Sequence, residues 1–188
     1  MISKISALWR LAWRVVLLLY VAGSNLRAQE LELTGYFEPG AAAAFAQRLT
    51  PDVQTVILRV EGGYLIEGIE IGRMIRARGL RTVVPRGAQC LSACAEAFLG
   101  GVQRDISGVV GFHIPRALRF SSRQQAYDTG YAGGALVVMY RFEMGFGFGL
   151  STAINRWTDD KRLLAFVNSE ELEAYREGQM SLPRLIEF

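Results

Sequence analysis

The run Val53 to Val60, VQTVILRV, carries apolar and β-branched residues on both alternating sets of positions and stops at Glu61-Gly62-Gly63. A strand that is apolar on both faces needs cover on both sides, which is the setting of a buried parallel strand. Parallel neighbours require a crossover, so the next segment must carry the chain back along the sheet. Leu65 to Arg78 predicts that crossover helix: Glu67 and Glu70 sit near its start, Arg73, Arg76 and Arg78 near its end, and Gly79 follows as a left-handed cap. Leu80 to Val84 reads as a second strand. A helix from about Leu91 to Leu99 stops at Gly100 and Gly101, and Val109 to His113 is a third strand. The order β, α, β, α, β predicts an α/β fold with parallel strands, right-handed crossovers and outer helices, and ligands at the carboxyl ends of the strands.

The flanks carry weaker signals. Leu31 to Phe37 reads as a short strand, and Pro39 with the alanine run through Leu49 reads as a helix. Arg116 to Gly134 is polar and mixed, as a loop or lid would be, and Ala135 to Phe142 is helical in pattern. Met144 to Leu150, MGFGFGL, lacks the spacing of a dinucleotide fingerprint and reads as a connection. Asn168 and Glu171 form a capping-box pattern for a helix through Arg176. With 188 residues, 51% of them hydrophobic, and no internal repeat or low-complexity linker, residues 29–188 are expected to form one domain.

Residues 1–28 hold Lys4, Arg10, Arg14 and Arg27 and no acid, and an apolar run from Val15 to Ala22 precedes the small residues Gly23 and Ala28. That layout is a secretory signal, which implies export and, in a bacterium, the periplasm. The alternative is an uncleaved anchor in the inner membrane facing the periplasm, against which stands an uncharged stretch shorter than the roughly 20 residues of a spanning helix. Without the leader, 17 basic residues remain of 21, against 18 acidic ones. The rest of the chain is near neutral, which makes no case for nucleic acid as a partner. Membrane contact would come through the leader alone.

Cys90 and Cys94 bracket Ser92. In an oxidising compartment they can pair, although a bridge inside a regular helix would distort it, and two buried thiols are the alternative. One histidine and one cysteine pair are too few ligands for a metal site. If imidazole chemistry happens in this chain, His113 does it. A serine hydroxyl becomes a nucleophile when a base takes its proton, and the resulting oxyanion needs N–H donors. Ser92, His113 and the pair Gly62 and Gly63 all fall at or just beyond predicted strand ends.

Three segments in order carry a likeness. VILRVEGGYLIEGIEIGRMIRARGL from Val56, GAQCLSACAEAFLGG from Gly87 and VVGFHIP from Val109 resemble the strand and Gly-Gly turn, the serine at a helix start, and the His-x-Pro strand of the Clp protease and crotonase superfamily, on its Clp-peptidase-like side. The likeness spans about Val53 to Ile114 and thins toward Tyr175. The CxSAC and GFH pairing is similar to a group of exported bacterial proteins that use this fold. The resemblance implies a Clp-peptidase/crotonase-like spiral of parallel βαβ units with outer helices. It also implies Ser92 as nucleophile, His113 as general base, and the backbone N–H groups of Gly63 and Ala93 as oxyanion hole. A homo-oligomer and a peptide or protein substrate follow from the same source, with no cofactor.

Two positions depart from the family pattern. Val60-Glu61-Gly62-Gly63 stands where the family has Ser-Pro-Gly-Gly, and aligning FVNSEELEAY from Phe166 puts Leu164 where its aspartate stands. Asp159, Asp160 and Asn168 are the candidates for the third member, with a backbone carbonyl as a further possibility. A Ser-Lys dyad through Lys161 is set aside because TDDKR reads as a surface segment. The leading expectation is therefore an exported serine hydrolase of peptidase type. The alternative is a non-catalytic binding or assembly protein on the same scaffold, and acyl-coenzyme A chemistry is disfavoured outside the cytoplasm.

Overall fold

The computed structural model describes residues 29–114, 122–159, 161–179 and 184–187. The leader and Asp160 lie outside the described residues. Among those described, eight strands and six helices form an α/β structure. They are β1 (Gln29–Phe37), α1 (Ala41–Arg48), β2 (Val53–Gly63), α2 (Leu65–Ala77), β3 (Arg81–Val84), β4 (Gln89–Leu91) and α3 (Ala93–Leu99). After these come β5 (Gln103–Ile106), β6 (Val109–Phe112), α4 (Arg123–Glu143), α5 (Phe148–Trp157), β7 (Arg162–Phe166), α6 (Ser169–Arg176) and β8 (Arg184–Glu187).

The strands form two four-stranded sheets, and the parallel pairing expected from the sequence holds throughout the first and in one pair of the second. The first runs β1-β2-β3-β5 and is parallel throughout. The second runs β4-β6-β7-β8; its β4-β6 pair is parallel, while β6-β7 and β7-β8 are antiparallel. From β3 onward the chain steps between the sheets, with β3 and β5 in one and β4 and β6 in the other. β2 is covered fully on one face only: Val56, Leu58 and Val60 are fully buried, each contributing about 1.5–3 kcal/mol by leaving water, while on the other face Thr55 and Ile57 are partly buried and Arg59 is exposed.

Two helices meet at unusually short range. A Cβ on Gly68 of α2 would lie 2.2 Å from the Ala93 carbonyl oxygen, and one on Gly100 would lie 2.2 Å from that of Gly72. Only glycine permits such backbone contact, so the 68–72 pair seats α2 directly on α3. Glu67 at the start of α2 accepts the N–H groups of Gly40 (2.9 Å) and Ala42 (2.8 Å), capping α1, which has no side-chain cap of its own. Gly79 takes the left-handed conformation after α2, at φ +64°.

Two readings are corrected beyond 114. The helix α4 begins at Arg123, within the stretch read as loop or lid, and α5 begins at Phe148, within the stretch read as a connection. Tertiary burial of Phe146, Leu150 and Ile154 overrides the glycine signal there. Among the described residues, no helix is long and apolar enough to cross a membrane.

Candidate active site

Ser92 lies between the end of β4 and the first residue of α3. Its backbone stands at φ 56° and ψ −119°, and it is the one described non-glycine residue with positive φ. Such a conformation costs an L-residue about 1–3 kcal/mol and persists where the surroundings impose it. A sharp strand-to-helix turn of this kind pushes a side chain out from the end of the sheet, as at the nucleophile elbow of serine hydrolases. Ser92 is partly buried, whereas Ala93 and Cys94 after it are fully so. The helix starts two residues later than the sequence indicated. Cys90 is therefore on a strand and Cys94 on a helix, and a disulfide joins them across Ser92 without a bridge inside a helix.

β4 and β6 are paired in register, with Gln89 beside Val109, Cys90 beside Val110 and Leu91 beside Gly111. The Ser92 N–H then donates to the Gly111 carbonyl at 2.8 Å. Continuing the register places Ser92 beside Phe112 and His113 one step beyond, at the carboxyl ends of adjacent strands. Phe112, the last residue of β6, is fully buried, and His113 directly after it is partly buried. Gly62 completes the cluster: a Cβ there would lie 3.4 Å from Ser92 Cβ and 3.4 Å from the Leu91 carbonyl oxygen. Gly62 and Gly63 both have φ in the left-handed range, at 134° and 137°. Gly63 packs on Phe37, whose carbonyl accepts the Tyr64 N–H at 2.8 Å.

The imidazole is held from its own segment. His113 Nδ1 lies 2.6 Å from the Ile114 carbonyl oxygen. A carbonyl only accepts, so Nδ1 carries the hydrogen and Nε2 keeps the lone pair of the neutral ring. The Ile114 N–H in turn donates to Thr158 Oγ1 (3.2 Å), and that hydroxyl donates to the Ile154 carbonyl (2.8 Å). The turn bearing His113 is thereby fastened to the end of α5.

Of the proposed carboxylate or amide partners, the two described ones, Asp159 and Asn168, bind other groups. Asp159 is half-buried and accepts the N–H groups of Lys161 (2.8 Å) and Arg162 (3.0 Å) and the Arg162 guanidinium (2.7 Å). The Arg162 side chain first, then the Lys161 N–H, hold its carboxyl below the usual carboxylate range. Asn168 caps α6 by accepting the Glu171 N–H at 2.8 Å. Since Leu164 pairs with Phe112 and Phe166 with Val110, Asn168 lies toward the opposite end of β6, about 13 Å along the strand from Leu164. Leu164 itself is fully buried. Asp160 falls outside the described residues, and Lys161 is exposed.

Below Ser92 lies an ion pair that the sequence reading did not single out. Glu96, whose N–H donates to the Ser92 carbonyl at 3.2 Å, is paired with Arg141 of α4, and both side chains are almost wholly buried. Arg141 also donates to Ser151 Oγ (3.2 Å) and lies over the Phe112 ring, and the Tyr140 hydroxyl donates to the Glu96 carbonyl (2.6 Å). Burial, followed by the nearby Glu96 charge, keeps the Tyr140 hydroxyl protonated well past its ordinary range. A lone acid within the apolar run of α3 was the available signal. Among the described residues, no group of three or more His, Cys, Asp or Glu side chains is placed to hold a metal ion.

No protein-family model matches the chain, and no curated protein does. Solved structures do match. One is a serine-to-alanine mutant of the 1510-N membrane-bound stomatin-specific protease, 16% identical, with a TM-score of 0.53. The likeness covers 78% of this chain and 75% of that one. At this identity it shows a shared α/β fold.

Proposed function

We propose that the chain is a serine hydrolase of peptidase type, with Ser92 as nucleophile and His113 as general base. The observation that carries this reading is the positive-φ turn that sets Ser92 at the end of β4, beside the strand that leads into His113. In the mechanism, His113 Nε2 takes the Ser92 proton as Oγ attacks a peptide carbonyl. The tetrahedral oxyanion is received by backbone N–H groups, assigned to Ala93 directly after the nucleophile and to Gly63. Losing one such donor costs about 10²–10³-fold in rate.

The Ile114 carbonyl does part of what an aspartate does in a triad. Much of the roughly 10⁴-fold loss on aspartate replacement comes from the wrong imidazole tautomer, and a carbonyl on Nδ1 keeps the right one. The carbonyl itself contributes a dipole rather than a full negative charge to the imidazolium. Alternation of β3, β4, β5 and β6 between two sheets supports the spiral arrangement of the Clp-peptidase/crotonase type. The protease in the structural comparison is consistent with peptide or protein as substrate. Export through residues 1–28, a periplasmic or inner-membrane-anchored location, a single domain over 29–188 and homo-oligomers belong to the same proposal, resting on the leader and the family resemblance.

A fluorophosphonate probe tests it. The purified chain should be labelled, while Ser92→Ala and His113→Ala should abolish or strongly slow labelling. Labelling that persists in Ser92→Ala, or none in the parent, would refute the hydrolase reading in favour of a non-catalytic binding protein on this scaffold.

A further inference from the structure

The bond between Cys90 and Cys94 closes a ring of five residues, and Ser92 is its middle member. Cys90 is the middle residue of β4 and Cys94 the second residue of α3; their Cα atoms are 5.1 Å apart and both residues are fully buried. An extended pentapeptide would separate those Cα atoms by about 13 Å. The bridge therefore forbids β4 from running on through Ser92 and enforces the turn there. Two hydrogen bonds also hold the Ser92 backbone, one to Gly111 and one from Glu96. Both lie at element ends, where structure frays first, whereas the disulfide is covalent. The Ser92 side chain makes no capping bond to α3 that would fix the turn from within.

We propose that Cys90 and Cys94 are positioning residues for Ser92: their disulfide holds the serine in its attacking conformation, and the site reaches its full rate only when the pair is oxidised. This rests on Ser92 being the nucleophile. In the activating step the two thiols lose two protons and two electrons to a partner disulfide, from a thiol–disulfide exchange protein or oxidised glutathione. That partner leaves as two thiols while the Cys90–Cys94 bond forms. The chain is then slow where thiols stay reduced and fully active where disulfides form. Full burial of both cysteines keeps the bond, once made, away from solvent thiols.

The test measures fluorophosphonate labelling of the oxidised full chain and of Cys90→Ala/Cys94→Ala across probe concentrations, separating the binding constant from the maximal rate. Displacing a reacting group by about 1 Å costs about 100-fold. The expected result is a fall in maximal rate of about 10- to 100-fold, with unchanged probe binding and an unchanged circular dichroism spectrum. In a second arm the parent chain is reduced by a phosphine in mild denaturant and returned to buffer. It should show the same loss, and reoxidation with oxidised glutathione should restore the rate. Equal maximal rates with and without the bridge overturn the proposal, as does a loss that tracks global unfolding in both arms. Absence of Ser92-dependent labelling in the oxidised parent removes the nucleophile reading itself and this proposal with it.

Discussion

Replacing Ser92 by glycine is expected to stabilise the chain relative to Ser92→Ala, although both remove the hydroxyl. At φ 56° and ψ −119° alanine keeps the Cβ that makes this conformation costly, by about 1–3 kcal/mol, and glycine does not. Against this, glycine loses more backbone entropy on folding, about 0.5–1 kcal/mol. The balance favours glycine by about 0.5–2 kcal/mol. Ser92 is partly exposed, so the missing Cβ leaves little void. For a chain of this size the gain is about 2–6 °C in Tm, readable by calorimetry and by the urea midpoint at unchanged slope. A glycine variant that melts at or below the alanine variant would mean that Ser92 does not occupy this conformation in solution. The inference from a strained turn to a nucleophile would then lose its footing.

Two further substitutions probe what supports the turn. Gly68→Ala places a Cβ 2.2 Å from the Ala93 carbonyl oxygen, forcing α2 off α3 at about 1–3 kcal/mol; urea unfolding reads the loss, and unchanged stability would contradict the close approach. Arg141→Met strands the Glu96 carboxylate in the interior and should destabilise by about 3–5 kcal/mol. The double variant Glu96→Leu/Arg141→Met should recover most of that, and equal damage from single and double variants would contradict the pairing.

Local signals were legible where the chemistry is local. β2, α2 and the Gly79 cap follow from a β-branched run, a charge gradient and a glycine, and Asn168 caps α6 through the Glu171 N–H, the first half of the box read there. β4 and β5, three and four residues long with the sequences QCL and QRDI, have no periodicity to detect. They become strands because neighbouring strands complete their hydrogen bonds. That omission concealed the second sheet. At the site, residue type and chain position marked Ser92 and His113 as candidates, and for the third member they left side chains and a backbone carbonyl both open. The partner on Nδ1 is a backbone carbonyl at Ile114, which every residue possesses and no sequence pattern announces.

By itself, then, the sequence determined the α/β class, the order of the early elements and the chemical groups near the strand ends, because these depend on propensity and pattern over a few residues. Tertiary structure alone decided that β4 and β6 lie side by side, that Ser92 adopts positive φ between them, and that Glu96 is buried against Arg141. It also placed Asn168 toward the opposite end of β6 from His113. These outcomes depend on which distant segments meet, and such meetings are set by burial and hydrogen-bond completion over the whole fold.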